Sequence, residues 1–134
     1  MLFEKALTVP AGTLKTAPAE VDIDVCPGVI TRISVEFNYG PNYLVFAFVR
    51  QALHQIWPLN PEGAVKSDGL AVSSQEFDPI PEPPYILTCG AYSPGCTYDH
   101  EIYFHIEITP EAEAFKNQAF LSWGEKIMRV FGLK

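Results

Sequence analysis

Basic side chains are scarce in this chain. Nine Lys and Arg stand against sixteen Asp and Glu in 134 residues, a formal net charge of −7. That balance excludes nucleic-acid binding through a basic face. Long hydrophobic runs are missing too. The longest, Tyr43-Leu44-Val45-Phe46-Ala47-Phe48-Val49, falls far short of the roughly 20 residues a membrane-spanning helix needs. Met1 to Val9 carries Glu4 and Lys5 where a secretion signal would hold an apolar block, so the expectation is a soluble product made in the cytosol, with no membrane partner.

Cysteine is limited to Cys26, Cys89 and Cys96, which cannot all pair within one chain. Cys89 and Cys96 flank Gly90-Ala91-Tyr92-Ser93-Pro94-Gly95. A Pro-Gly hairpin there would bring their Cα atoms within the ~7 Å that a disulfide requires, although a reducing compartment favours free thiols. Cys26, before Pro27-Gly28, reads as a small buried residue at a strand end. Neither CxxC nor neighbouring His spacing is present, so no zinc site is expected.

Motifs that carry chemistry are equally sparse. There is no GxSxG, no phosphate-cradling GxxxxGK[ST] and no GxGxxG. Beside Asp99-His100-Glu101, His105 and Glu107 share a strand face with Glu101, a His/carboxylate cluster too small to expect a metal. His100, where a loop enters the strand, is expected to hydrogen-bond turn backbone. His54 reads as a packed or edge histidine. No catalytic residue, cofactor or metal is expected, and the chain is read as a non-enzyme.

What is present is a globular composition, 48% hydrophobic and 19% charged, enough for one domain with one core. Twelve prolines outnumber nine glycines beside nine Phe, six Tyr and two Trp, which leans towards strands joined by shaped turns. Residues 3–9 form a first short strand, followed by an extended connector to Ala19. Val21, Ile23 and Val25 alternate with Asp22 and Asp24; Ile33, Val35 and Phe37 alternate with Arg32, Ser34 and Glu36. Period two marks a strand with one wet face. Residues 43–49 are apolar on both faces, so that strand is central or covered on its second side. A bend at 50–54 leads to Gln55-Ile56-Trp57, and short strands are expected at 69–73 and 74–78. Prolines 79, 81, 83 and 84 predict an extended crossing segment. Tyr85 to Tyr92 resumes as a strand. Glu101 to Ile108 is the clearest, with Ile102, Phe104, Ile106 and Ile108 inward.

The sum is an antiparallel β-sandwich of seven to nine short strands, jelly-roll-like, followed by one C-terminal amphipathic helix. One domain is divided as residues 1–19 (strand and arm), 20–108 (body) and 109–134 (helix). Thr109-Pro110-Glu111 offers a capping hydroxyl, a first-turn proline and an acid. The helical stripe of Phe115, Phe120, Trp123, Ile127 and Phe131 must cover apolar surface, either the sheet of its own body or a neighbouring subunit. Tyr39, Trp57 and Tyr98, with Tyr43, Tyr92 and Tyr103, offer surface rings for sugar stacking or a protein contact, or fill the core.

Four strings, Val9-Pro10-Ala11-Gly12-Thr13, Pro27-Gly28-Val29-Ile30-Thr31, His54-Gln55-Ile56-Trp57-Pro58-Leu59-Asn60-Pro61 and Thr97-Tyr98-Asp99-His100, together resemble small β-sandwich structural proteins of tailed bacteriophages. The resemblance covers residues 5–108 and rests on turn and strand-end patterns. It implies a non-enzymatic virion part, a capsid decoration or cement protein assembled in the host cytoplasm. The partners it implies are coat or tail subunits and further copies of the chain, as in a trimer. A carbohydrate-binding sandwich using loop Tyr and Trp is the alternative. A metal-dependent jelly-roll enzyme would need His and carboxylates inside the sandwich, whereas His105 is expected outside.

Overall fold

Alternating side chains build the centre of the molecule. In the computed structural model, which describes residues 1–60, 63–80, 83 and 85–110, Ile102, Phe104, Ile106 and Ile108 are wholly buried. They lie on strand β8 (His100–Thr109), which sits between β1 (Leu2–Val9) and β3 (Gly28–Phe37). β6 (Ala71–Ile80) completes this first antiparallel sheet in the order β1-β8-β3-β6. The second sheet has the order β2-β7-β4-β5, from β2 (Ala19–Asp24), β7 (Ile86–Tyr92), β4 (Phe46–Gln51) and β5 (His54–Trp57). One apolar cluster, drawn from all eight strands, fills the space between the sheets. The chain is a β-sandwich, as its period-two runs dictate.

Successive strands mostly change sheets, so the connections gather at two ends. Residues 10–18, 38–45, 58–70 and 93–99 join strands at one end; 25–27, 52–53 and 81–85 do so at the other.

Several expectations need correction. The two short strands at 69–73 and 74–78 are one ten-residue strand, β6, which also takes in Pro79. An edge strand tolerates proline because one of its sides needs no ladder donor. Its inner residues include Ser74, Glu76 and Asp78, which hid the alternation. The strand expected at 43–49 starts only at Phe46, because Asn42 and Tyr43 are left-handed, with φ of 49° and 62°. The bend at 50–54 is a tight hairpin: Gln51 pairs with His54 across Ala52 and Leu53, with Ala52 at φ 53°.

Within residues 1–19, Leu2–Val9 pair along their whole length with β8, leaving only residues 10–18 as connector. Thr109 pairs with Val29 as the last residue of β8. The helix expected beyond it, with Phe115, Phe120, Trp123, Ile127 and Phe131, lies outside the described residues.

Candidate functional site

Exposed apolar side chains gather at one end of the sandwich. Leu14, Tyr39, Tyr43, Leu44, Leu59, Leu70 and Tyr98 all lie on the four loops there, with Tyr39 84% and Tyr98 75% exposed. At the opposite end Leu53 stands out on the loops, with Met1 and Leu2 at the start of β1, among the described residues. Single exposed leucines mean little, but a concentration of them on one end marks an interaction surface.

The loops are tied to each other by polar groups inside them. Ser93 is fully buried; its N–H donates to the Thr13 carbonyl at 2.9 Å and its hydroxyl to the Pro10 carbonyl at 3.0 Å. The Ala11 N–H donates to Asp99 Oδ1 at 2.8 Å. Asp68 Oδ1 accepts from the N–H groups of Gly40 (2.8 Å) and Asn42 (3.2 Å), stitching 38–45 to 58–70. Gly69, at φ 73°, lies under the Tyr39 ring, and a Cβ there would come within 2.3 Å of it. A contact surface fixed in advance loses little conformational entropy when a partner arrives.

The expected surface aromatics divide. Tyr39 and Tyr98 are exposed on this end, and Tyr43 is half exposed. Trp57 is a correction: it is 4% exposed, packed in the core, and its Nε1 donates to Ser74 Oγ at 2.6 Å. Its place opposite Val49 on β5 turns the indole inward. Tyr92 is also nearly covered, stacked on Phe46 with ring centroids 5.1 Å apart. Tyr103 stays on the outer face, where a hydrogen bond with Glu101 pushes its phenol up.

The histidines are dispersed. His105 faces outward on the first sheet, with Nε2 3.7 Å from Glu36 Oε2. His100 lies against Gly40, and His54 is exposed beside the hairpin. Among the described residues no group of three His, Cys, Asp or Glu is placed to hold a metal.

Sequence reasoning missed a polar seam at the open edge between β5 and β6. Ser74 relays from Trp57 Nε1 to Glu76 Oε1, donating to the latter at 2.8 Å. Asp78 sits beside them, its carboxyl held above the usual range by burial and by Glu76, with His54 opposing. Only a sandwich edge leaves such side chains half wet.

Cys89 and Cys96 are free thiols, both buried, and Cys26 is free and half-buried. Pro94-Gly95 closes no hairpin, because the chain crosses from β7 in one sheet to β8 in the other. Burial, and then Asp22, push the Cys89 thiol up to about 12. The thiolate is the reactive form, so Cys89 is expected to resist a thiol reagent in the folded protein and to react once urea unfolds it. Mass spectrometry of the labelled peptides would show this, and fast modification under native conditions would refute it.

The second sheet's outer face was legible only in part. β4 is interior to its sheet and turns Phe46, Phe48 and Arg50 outward, where the two rings meet Tyr92. Phe48 lies over Gly90, where a Cβ would come within 2.4 Å of its ring. Lys15 and Lys66 stand 5.9 and 5.6 Å from the Tyr92 and Phe46 ring centroids. Arg50 Nη2 donates to Glu20 across this face at 2.5 Å, while its buried Nε has no hydrogen-bond partner. Lys15 lies in the Thr/Ala/Pro-rich connector, which carries no periodic signal to mark it. Compared with known proteins, the sequence matches no family model and no curated protein.

Proposed function

We propose that this chain is a non-enzymatic structural protein of a virus particle. As a capsid decoration or cement component it binds neighbouring coat or tail subunits and further copies of itself. The strand order β1-β8-β3-β6 against β2-β7-β4-β5 supports a jelly roll, an architecture shared by viral capsid and lectin domains. The observation that carries the role is the apolar, tyrosine-rich loop end, held rigid by Ser93, Asp68 and Asp99. Tyrosine is enriched at protein interfaces because it offers large area with few rotors. The stripe of Phe115, Phe120, Trp123, Ile127 and Phe131 is the second contact.

Sugar binding by the same loops is less well supported. Trp57 is buried, and Oδ1 of both Asp68 and Asp99 already accepts backbone N–H groups. These bonds leave less of each carboxylate for sugar hydroxyls.

Sedimentation velocity over a concentration series tests self-association. Replacing Tyr39 and Tyr98 together by Ser is expected to weaken it at least about thirtyfold, since truncating an interface hot spot costs about 2 kcal/mol or more. Identical concentration dependence in wild type and variant would remove the loop end from the interface.

A further inference from the structure

The geometry points to a binding site for acidic saccharides, chains bearing uronate carboxylates, in the groove across the outer face of the second sheet. The groove has a volume of about 410 Å³ and is lined by Phe48, Tyr92, Lys15, Arg50, Glu20 and Gln55. That is within the roughly 300–1,000 Å³ of small-ligand sites. It lies mainly on the flat of the sheet and reaches the loop end through Lys15, Thr16 and Pro18; Tyr39 and Tyr98 do not line it, and it does not depend on the assembly role.

Charge identifies the ligand. Of the Lys and Arg among the described residues, Lys5 and Arg32 lie on the first sheet, while Lys15 and Arg50 line the groove, Arg50 paired with Glu20, and Lys66 stands beside it over Phe46. In a chain of net charge −7, such a gathering makes a local site for an anion. Glu20 engages Nη2 of Arg50 and Nε is buried, so the donors left for a ligand are those of Nη1. The floor is apolar and closely packed, with little ring area open: Phe48, over Gly90, is 8% exposed and Tyr92, stacked on Phe46, 9%.

Cations above an apolar floor suit a molecule carrying carboxylates on one side and C–H faces on the other. A uronate ring has both. An acidic peptide fits less well, because its own N–H and C=O groups need partners and a sheet's face has committed its amides to the ladder. Gln55 is committed as well, donating through Nε2 to the carbonyls of Pro58 and Gly63 at 2.7 and 2.9 Å. It acts as a wall of the groove.

Calorimetric titration with tetragalacturonate tests the site, with galactotetraose as the uncharged counterpart and tetraglutamate as the peptide of equal charge. Saturable binding of tetragalacturonate is expected, with galactotetraose and tetraglutamate clearly weaker. Lys15→Ala and Arg50→Gln should each raise Kd about tenfold, the scale of one charge-assisted hydrogen bond. Tyr98→Ala, at the loop end, should leave Kd unchanged. Lys15 is on an exposed connector, so Lys15→Ala reads the site even if Arg50→Gln fails to fold. Absence of saturable binding, equal affinity for galactotetraose or tetraglutamate, or an affinity untouched by Lys15→Ala would each overturn the assignment. Wild-type affinity in Tyr98→Ala, alongside its loss of self-association, would show the two surfaces to be separate.

Discussion

Phe104→Ala is expected to lower unfolding stability by about 3–5 kcal/mol, the usual cost of emptying a buried phenylalanine site. Phe104 is wholly buried and among the largest side chains in the core. It sits mid-strand on β8, opposite Lys5 of β1 and Val35 of β3. With β-strand hydrogen bonds on both sides, the backbone there is poorly placed to move inward and fill the void. A domain's whole stability is about 5–15 kcal/mol, so the variant should lose a large share of it. Thr8→Ala, on the outer face of the adjacent strand, should stay within about 0.5 kcal/mol of wild type. Urea titrations followed by tryptophan fluorescence compare the two, since Trp57 lies in the same cluster. A loss below about 1 kcal/mol for Phe104→Ala would mean that the core is not packed as described.

Gly28→Ala should be nearly as damaging, through the backbone. A Cβ at Gly28 would lie 2.5 Å from the Thr109 carbonyl oxygen and 2.8 Å from Ile108 Cγ2. The first obstacle is main chain and cannot swing aside, so β3 and β8 would have to part where Val29 pairs with Thr109. Overpacking and the glycine-favouring φ of 156° together should cost about 3 kcal/mol. Gly12→Ala supplies the contrast. Gly12 is left-handed, with φ 70°, but open to solvent, and a Cβ there meets nothing within 4 Å. Backbone strain alone should cost it about 1 kcal/mol. If the two variants lose equal stability in urea, the close approach at Gly28 has no energetic weight.

How much of this could be read from the sequence depends on which side of a strand carried the signal. Ile102, Phe104, Ile106 and Ile108 alternate strictly with Glu101, Tyr103, His105 and Glu107, and the structure follows that alternation residue by residue. β6 alternates as well, but between exposed residues and a half-buried Ser74, Glu76 and Asp78. Hydrophobicity therefore carried no period, and the strand read as two fragments. Left-handed Asn42, Tyr43 and Ala52 are invisible because none is a glycine; Asp68 fixes the first by a contact 26 residues away in the chain. Tyr39 and Tyr98 could be named as candidate surface rings because they lie in turn-rich loops, but nothing in the sequence separated them from rings that fill the core. Trp57 looked similar next to Pro58, and only its pairing with Val49 turned it inward. Lys15 and Arg50 could not be linked from sequence, since they lie on different elements and share only the lining of one groove.

The position of β8 has a consequence for how the protein is made. It comes last of the described strands, yet it fills the slot between β1 and β3. A nascent chain leaving the ribosome therefore carries β1 and β3 with no hydrogen-bonding neighbour between them until residues 100–109 emerge. Both would show bare edges during translation, the condition in which unfinished chains stick to one another. Closure of the first sheet therefore waits for residues 100–109, and pairing residues as distant as Leu2 and Glu107 sets a slow clock for that step.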